Sequence, residues 1–430
     1  MGQKPIVPAA RKQFGGVLNF AITWLSFIVR LVGQLGYFLL IARGLGPHNY
    51  GMVASVIALL TVFSAVCGWG SDHVLIRHVT MAPERFGAYF GNALLLNAAT
   101  ALPVGLLVFG AQYLMVGMAT WAFVAFALGE LFFARFHVVA IASFMAFERG
   151  NDLFVLNAGF GMLRVAACVA AIGLSHPLTV EIWAQWYLGA VVLTGVSALA
   201  YTVWRLGPPR WYFARQDVGL GFHFCLYFTA DSALRDIDKP LVAYLAGPVA
   251  AGLYNAAFRI VDAMAVPLRA LMAAFYARFF RHGHEGIEQS FQFALRVLPL
   301  TLGYTLFAGV ALTFGADLLP MLLGEKFRAA VPVATTLAFL PVFGGLTSIG
   351  GDILTSAGRQ RTRALVVACL CLSPVLFAYL LVPRFGAIGA AYAALGNAAM
   401  VAATIWTMVI LSRRKAARLP DAASAQAHTA

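Results

Sequence analysis

From Phe385 to Ser412 no residue carries a charge, and apolar stretches of this kind recur along the whole chain. They are long and continuous, without the polar–apolar alternation of a barrel strand. In lipid the backbone must satisfy its own hydrogen bonds, which leaves helices or closed barrels. Continuous apolar runs of about 20 residues therefore read as membrane helices. Of 430 residues, 61% are hydrophobic and 11% are charged, against roughly a quarter charged in a soluble domain. No soluble fold can hide that much apolar surface. The predicted fold class is all-α, a polytopic membrane protein.

Cutting these runs at Gly, Pro and charge yields twelve spans: 15–41, 51–70, 88–109, 113–134, 153–173, 182–204, 219–246, 249–278, 294–315, 329–356, 363–382 and 386–411. Pro267 and Pro374 predict kinks in the eighth and eleventh. Segment 1–14 carries Lys4, Arg11 and Lys12, but the apolar stretch behind it runs to Ile41 with no small-residue cleavage site. It reads as a retained first helix and not as a signal peptide. The expected organisation is a six-helix bundle over 15–204, a linker at 205–218, a second bundle over 219–411, and a disordered tail at 412–430.

Orientation follows from charge. With the N-terminus inside, 19 of the 30 Lys and Arg residues fall in cytoplasmic segments, 4 on the opposite side and 7 within spans. Cytoplasmic loops of membrane proteins carry this excess. Both termini are therefore expected in the cytoplasm, with the chain in the plasma (inner) membrane. The same bias accounts for a net charge of +13 without a nucleic-acid partner. The five cysteines all lie in apolar segments, with no metal-ligand spacing, and read as small buried hydrophobes. His73, His78, His282 and His284 fall in cytoplasmic loops and read as solvated surface. Neither a phosphate-binding Walker sequence nor a Ser-His-Asp arrangement on a water-facing loop is found, so no cofactor, metal or enzymatic activity is expected.

The chain also repeats itself. ARGLGPHNYGMV follows the first span and AYLAGPVAAGLY follows the seventh. Superimposing Gly46-Pro47 on Gly247-Pro248 gives an offset of 201, which also places Gly51 on Gly252. Six spans before and six after suggest two repeated halves, a transporter architecture.

The stretches RGLGPHNYGMVASVIALLTVFSAVCGWGSDHVLIR, LRDIDKPLVAYLAGPVAAGLYNAAFRI and LLVPRFGAIGAAYAAL resemble Wzx-type polysaccharide flippases. These belong to the multidrug/oligosaccharidyl-lipid/polysaccharide exporter superfamily. The likeness covers most of the chain and is weakest in spans three to six. It implies two six-helix bundles forming a V-shaped cavity. It further implies outward transfer of a polyprenyl-pyrophosphate-linked oligosaccharide for lipopolysaccharide or exopolysaccharide synthesis, among membrane lipids and other polysaccharide-assembly membrane proteins.

Ionisable residues inside spans are the site candidates, since a central Arg or Asp costs roughly 2.5–3.5 kcal/mol to insert. Arg30 lies deep in span one, and Arg164 lies centrally in span five. In span seven Asp231, Arg235 and Asp238 share one face, with Lys239 beside it and Asp236 pointing elsewhere. In span eight Arg259, Asp262 and Arg269 share another. Two readings stand. In one, Arg30, Arg235, Arg259, Lys239 and Arg164 line a cavity and hold a pyrophosphate, whose oxygens suit the guanidinium fork. Asp231, Asp236, Asp238 and Asp262 would then hold those cations or exchange a coupling ion. In the other, the charges only neutralise each other at helical spacing: Asp231 with Arg235, Asp236 with Lys239, Arg259 with Asp262. A multidrug or metabolite exporter of the same superfamily is the competing function, with a membrane-embedded polysaccharide polymerase or ligase behind it.

Overall fold

Ala, Leu, Phe and Val dominate the spans, and in hydrocarbon such segments can satisfy their amides only along their own axis. The computed structural model describes the backbone of residues 9–175, 177–283 and 286–427. Side chains are described for residues 33–415, except 176, 274, 277, 280, 282–285, 361, 362, 364, 367 and 368. Every regular element among the described residues is helical. They are α1 (Ala9–Ser64), α2 (Ser71–Met81), α3 (Phe86–Met115), α4 (Thr120–Leu128), α5 (Ala134–Ala146), α6 (Gly150–Leu174), α7 (Val180–Leu206) and α8 (Val218–Asp236). Then follow α9 (Asp238–Met264), α10 (Val266–Gly283), α11 (Ile287–Gly315), α12 (Leu319–Leu323), α13 (Val331–Leu337), α14 (Leu340–Ser356), α15 (Gln360–Leu370) and α16 (Ser373–Ala427).

Among the described residues nine helical stretches are long and apolar enough to cross a membrane, which makes this a multi-pass membrane protein. Three of the nine contain a glycine with non-helical backbone: Gly46 in α1, Gly247 in α9 and Gly386 in α16. The twelve predicted spans divide the chain at these same three glycines. At Gly46 (φ 72°, ψ 172°) and Gly247 (φ 83°, ψ 167°) the cause is local. Each precedes a proline, which pushes the residue before it out of the α region. Positive φ is open to glycine, and Pro47 and Pro248 then restart the helix with a preset φ.

The chain divides into two compact units. One comprises Met1–Leu45 and Val56–Thr229, the other Gly46–Ser55 and Ala230–Ala430. This division lies beyond the predicted linker and assigns ten residues of α1 to the second unit. In the first unit α2 packs on α3 and α5, and α5 and α6 pack on α7. In the second, α9 and α14 pack on α16, and α10 and α11 on α14. The core of that bundle includes Leu268, Phe279, Ile349, Ile353, Ile405 and Val409.

Several boundaries differ from the sequence reading for physical reasons. The fourth span, predicted to stop at Arg135, continues as helix from Thr120 to Ala146 through a π-helical turn at Gly129–Phe133. Arg135 does not end it, because the side chain is buried, at 6% exposure, and faces Asp72 at 3.6 Å. The connection between the second and third predicted spans, where His73 and His78 read as solvated loop, contains α2, whose Val74, Leu75 and Val79 are buried in the first unit's core. The kinks expected from Pro267 and Pro374 appear as breaks at Ala265 and at Cys371–Leu372. α16 extends as helix to Ala427, into the segment where composition predicts disorder.

The repeat has a direct structural counterpart within the second unit. A Cβ on Gly51 would lie 1.9 Å from the Pro248 carbonyl oxygen, and one on Gly252 would lie 2.0 Å from that of Pro47. The 201-residue offset thus pairs two helix starts that cross backbone on backbone, each through the other's glycine. Gly51→Ala is expected to cost about 1–3 kcal/mol through forced displacement and to lower the melting temperature of the purified protein. Gly303→Ala on α11, where nothing lies within 4 Å of the added carbon, should leave it unchanged or raise it. A Gly51→Ala protein melting like wild type would contradict this close approach.

Candidate functional site

The second unit's charges gather at the elbow between α8 and α9. Arg235 forms an ion pair with Asp231 one turn back on α8. Lys239, at the start of α9, points back across the break. Its Nζ donates to Asp236 Oδ1 at 2.6 Å and to the Arg235 carbonyl at 2.7 Å, and it sits 4.3 Å from the centre of the Phe258 ring. Asp238 Oδ1 lies 3.6 Å from the same nitrogen, and Asp238 Oδ2 accepts from the Tyr254 hydroxyl. A cation at a helix C-terminus meets exposed carbonyls and the negative end of the dipole. Lys239 does this with a side chain only 6% exposed, so its charge is spent on the elbow. Arg235 differs, since its side chain stays 68% exposed while paired. A cavity of about 160 Å³ lies beside the elbow, lined by Arg235, Asp238, Phe258, Asn397 and small apolar residues.

Farther along α9 the expected pair of Arg259 with Asp262 is not made. Asp262 is taken by Arg269, whose Nη1 donates to Asp262 Oδ1 at 2.7 Å and whose Nη2 donates to the Asp262 carbonyl at 3.2 Å. The break at Ala265 allows this, since it turns the start of α10 so that Arg269 can reach back. Arg259 instead lies in hydrogen-bonding reach of the buried Tyr50 hydroxyl. Among the described residues it has no carboxylate partner.

The first unit holds a separate centre around Arg164. Its Nη2 donates to the Tyr187 hydroxyl at 2.9 Å and to Glu130 Oε1 at 3.1 Å, and Tyr187 donates to that same carboxylate oxygen. The guanidinium also lies 4.3 Å from the centre of the Phe160 ring, a favourable position over an aromatic face. Glu130 was not among the sequence candidates. The signal was present, as a lone carboxylate inside an apolar span. The π-helical turn of residues 129–133 carries it, and such turns cluster at functional positions. Arg30 lies on α1, but its side chain is outside the described residues.

A third polar centre joins Asp72, Arg135 and His73. His73 is not solvated surface, because its ring stacks on Phe228 at 4.0 Å and sits 3.8 Å from Asp72. Burial pushes its imidazole below the usual range, outweighing the raising effect of Asp72. Cys67, Cys168 and Cys225 are buried free thiols, as expected, whereas Cys369 is exposed.

Four of the five named cations can thus be placed. Arg164, Arg235 and Lys239 have carboxylate partners, and Arg259 has a phenol. The Arg164 pair makes a quantitative expectation possible. Removing one partner of a buried pair typically costs about 3 kcal/mol or more. Glu130→Gln and Arg164→Met should each destabilise the purified protein by about that amount, while the double variant loses clearly less than the two together. Purely additive losses in unfolding free energy would show that the two residues are not coupled.

Comparison with known proteins follows the same lines. The sequence profile of a family described as "Polysaccharide biosynthesis protein" matches residues 17–281. No curated protein sequence matches the chain. Among solved structures it is similar to the lipid II flippase MurJ in an inward closed conformation, with a TM-score of 0.66, 14% identity, and coverage of 91% of this chain and 87% of that one. An inward-facing multidrug resistance MATE family transporter of the MOP superfamily gives 0.65 at 15% identity, covering 91% and 96%. A MOP superfamily transporter from Pyrococcus furiosus gives 0.63 at 15%, covering 91% and 93%. At such identities these likenesses show the fold.

Proposed function

We propose that this chain, which belongs to the polysaccharide biosynthesis protein family, is a flippase for a lipid-linked oligosaccharide. It moves a polyprenyl-pyrophosphate-linked glycan outward across the plasma membrane by alternating access. It acts as a transporter, not an enzyme, with both termini on the cytoplasmic side. With Arg135 placed inside its helix, the charge imbalance of 18 to 4 between the two sides supports that orientation.

One observation carries the reading: Arg259, part-way along a membrane-crossing helix, lies within reach of a phenol and has no ion-pair partner among the described residues. An unneutralised guanidinium in a span is costly, and an anionic ligand removes that cost. Its planar fork matches two oxygens of a diphosphate. Arg235, paired but exposed, is the second donor. A cationic drug would be repelled by both, which favours this substrate class over the multidrug alternative. The structural neighbours include both kinds of transporter and support either equally.

Two tests follow. In proteoliposomes loaded with a polyprenyl-pyrophosphate glycan, Arg259→Ala should slow flipping roughly 10–150-fold, the loss of about 1.5–3 kcal/mol from a charged hydrogen bond. Arg259→Lys should retain part of the rate, and Tyr50→Phe, which keeps the cation, should stay near wild type. Wild-type flipping by Arg259→Ala would remove the assignment. The second test uses voltage. A dianionic headgroup moving outward from a negative interior gains about 4–5 kcal/mol per 100 mV, so an imposed potential of that sign should accelerate flipping. Equal rates under both polarities would exclude direct assistance by the field.

A further inference from the structure

The stretch between α7 and α8 is tied down along its length. The Arg210 amide donates to the Gly87 carbonyl at 2.7 Å, and the Ala214 amide donates to Asn92 Oδ1 at 3.0 Å. Gly91 admits this strap onto α3, since a Cβ there would lie 2.0 Å from the Arg210 carbonyl oxygen. Ala214 is buried in the first unit's core. At the far end Asp217 accepts from the Tyr89 hydroxyl at 3.0 Å and faces His78 Nε2 at 3.1 Å.

So fixed, the strap turns three consecutive aromatics outward. Trp211 is 72% exposed, and Tyr212 and Phe213 are also exposed. Arg210 and Arg215 flank them, both exposed, and among the described residues neither has an ion-pair partner. Arg205 marks the contrast. It is held at 3.1 Å by Asp152, which also accepts from Tyr201 at 2.6 Å, so its charge is already balanced. In water an exposed aromatic run on a rigid backbone is unfavourable. At a membrane interface, amphipathic rings and arginine are both at home.

We propose that this strap binds the headgroup of an anionic phospholipid. Arg210 and Arg215 meet its phosphate and extra negative charge. Trp211, Tyr212 and Phe213 enter the glycerol and upper acyl region. Charge complementarity selects the partner: the two free guanidinium groups match a net negative headgroup, whereas a zwitterionic one brings its own cation. The backbone ties hold the rings in place before lipid arrives, so little ordering entropy is lost on binding.

The test compares phosphatidylglycerol with phosphatidylcholine of the same chains, added to the delipidated full-length protein in neutral detergent. Bound lipid is read by native mass spectrometry and stability by melting temperature. Wild type should retain phosphatidylglycerol preferentially and melt higher with it. Each interfacial arginine contributes a factor of about five, so Arg210→Gln/Arg215→Gln should lower that preference roughly 25-fold. Its melting temperature in phosphatidylcholine should match wild type. Trp211→Ser should weaken retention of both lipids. Equal retention of the two lipids by wild type would overturn the proposal, whatever the variants do. So would a double variant that keeps the preference, or a wild-type stabilisation that inorganic phosphate reproduces without lipid.

Discussion

A charge that enters hydrocarbon must bring its neutralising partner with it, and the polar interior of this protein is arranged around that requirement. Arg164 enters with Glu130 and Tyr187, Arg135 with Asp72, and Lys239 with Asp236 and Asp238. Each set spans at least two segments, so neutralising the charge also fixes how those segments meet. The ion pairs are therefore ties between elements as much as electrostatic compensation. Arg259 stands outside this pattern, since among the described residues it has no ion-pair partner and lies beside the Tyr50 phenol, and for that reason it carries the functional reading.

Most of the fold was legible because lipid makes the code simple. Length, lack of charge and backbone self-sufficiency locate a span without knowledge of its neighbours. The errors fell where a charge was treated as punctuation. Arg135 looked like the end of a helix, yet it lies inside one, because Asp72 on another element compensates it. Nothing in the local sequence around Arg135 reports that partner. α2 was missed for a related reason: its His and Asp residues read as water-facing until Phe224, Phe228 and Arg135 are seen packed about them.

The candidate site was legible in its parts and less so in its pairing. Asp231 with Arg235 and Asp236 with Lys239 follow from helical spacing, and both pairs form. Arg259 with Asp262 follows from the same rule and fails, because a break at Ala265 gives Asp262 a better partner in Arg269. Spacing rules assume an unbroken helix, and the sequence marks this break only by Pro267. Glu130 shows the complementary limit, since one acid in an apolar run has no on-helix partner to predict.

The reciprocal contact at Gly51 and Gly252 has a consequence for how this chain can vary. Each glycine leaves room for a carbonyl belonging to the other repeat, so two sites 201 residues apart in sequence form a single contact. A bulkier residue at either one strains that same contact, and shrinking its partner gives no relief, because both are already at the smallest side chain available. However the two copies of the repeat differ elsewhere, at this crossing each can keep its close approach only while both positions stay glycine.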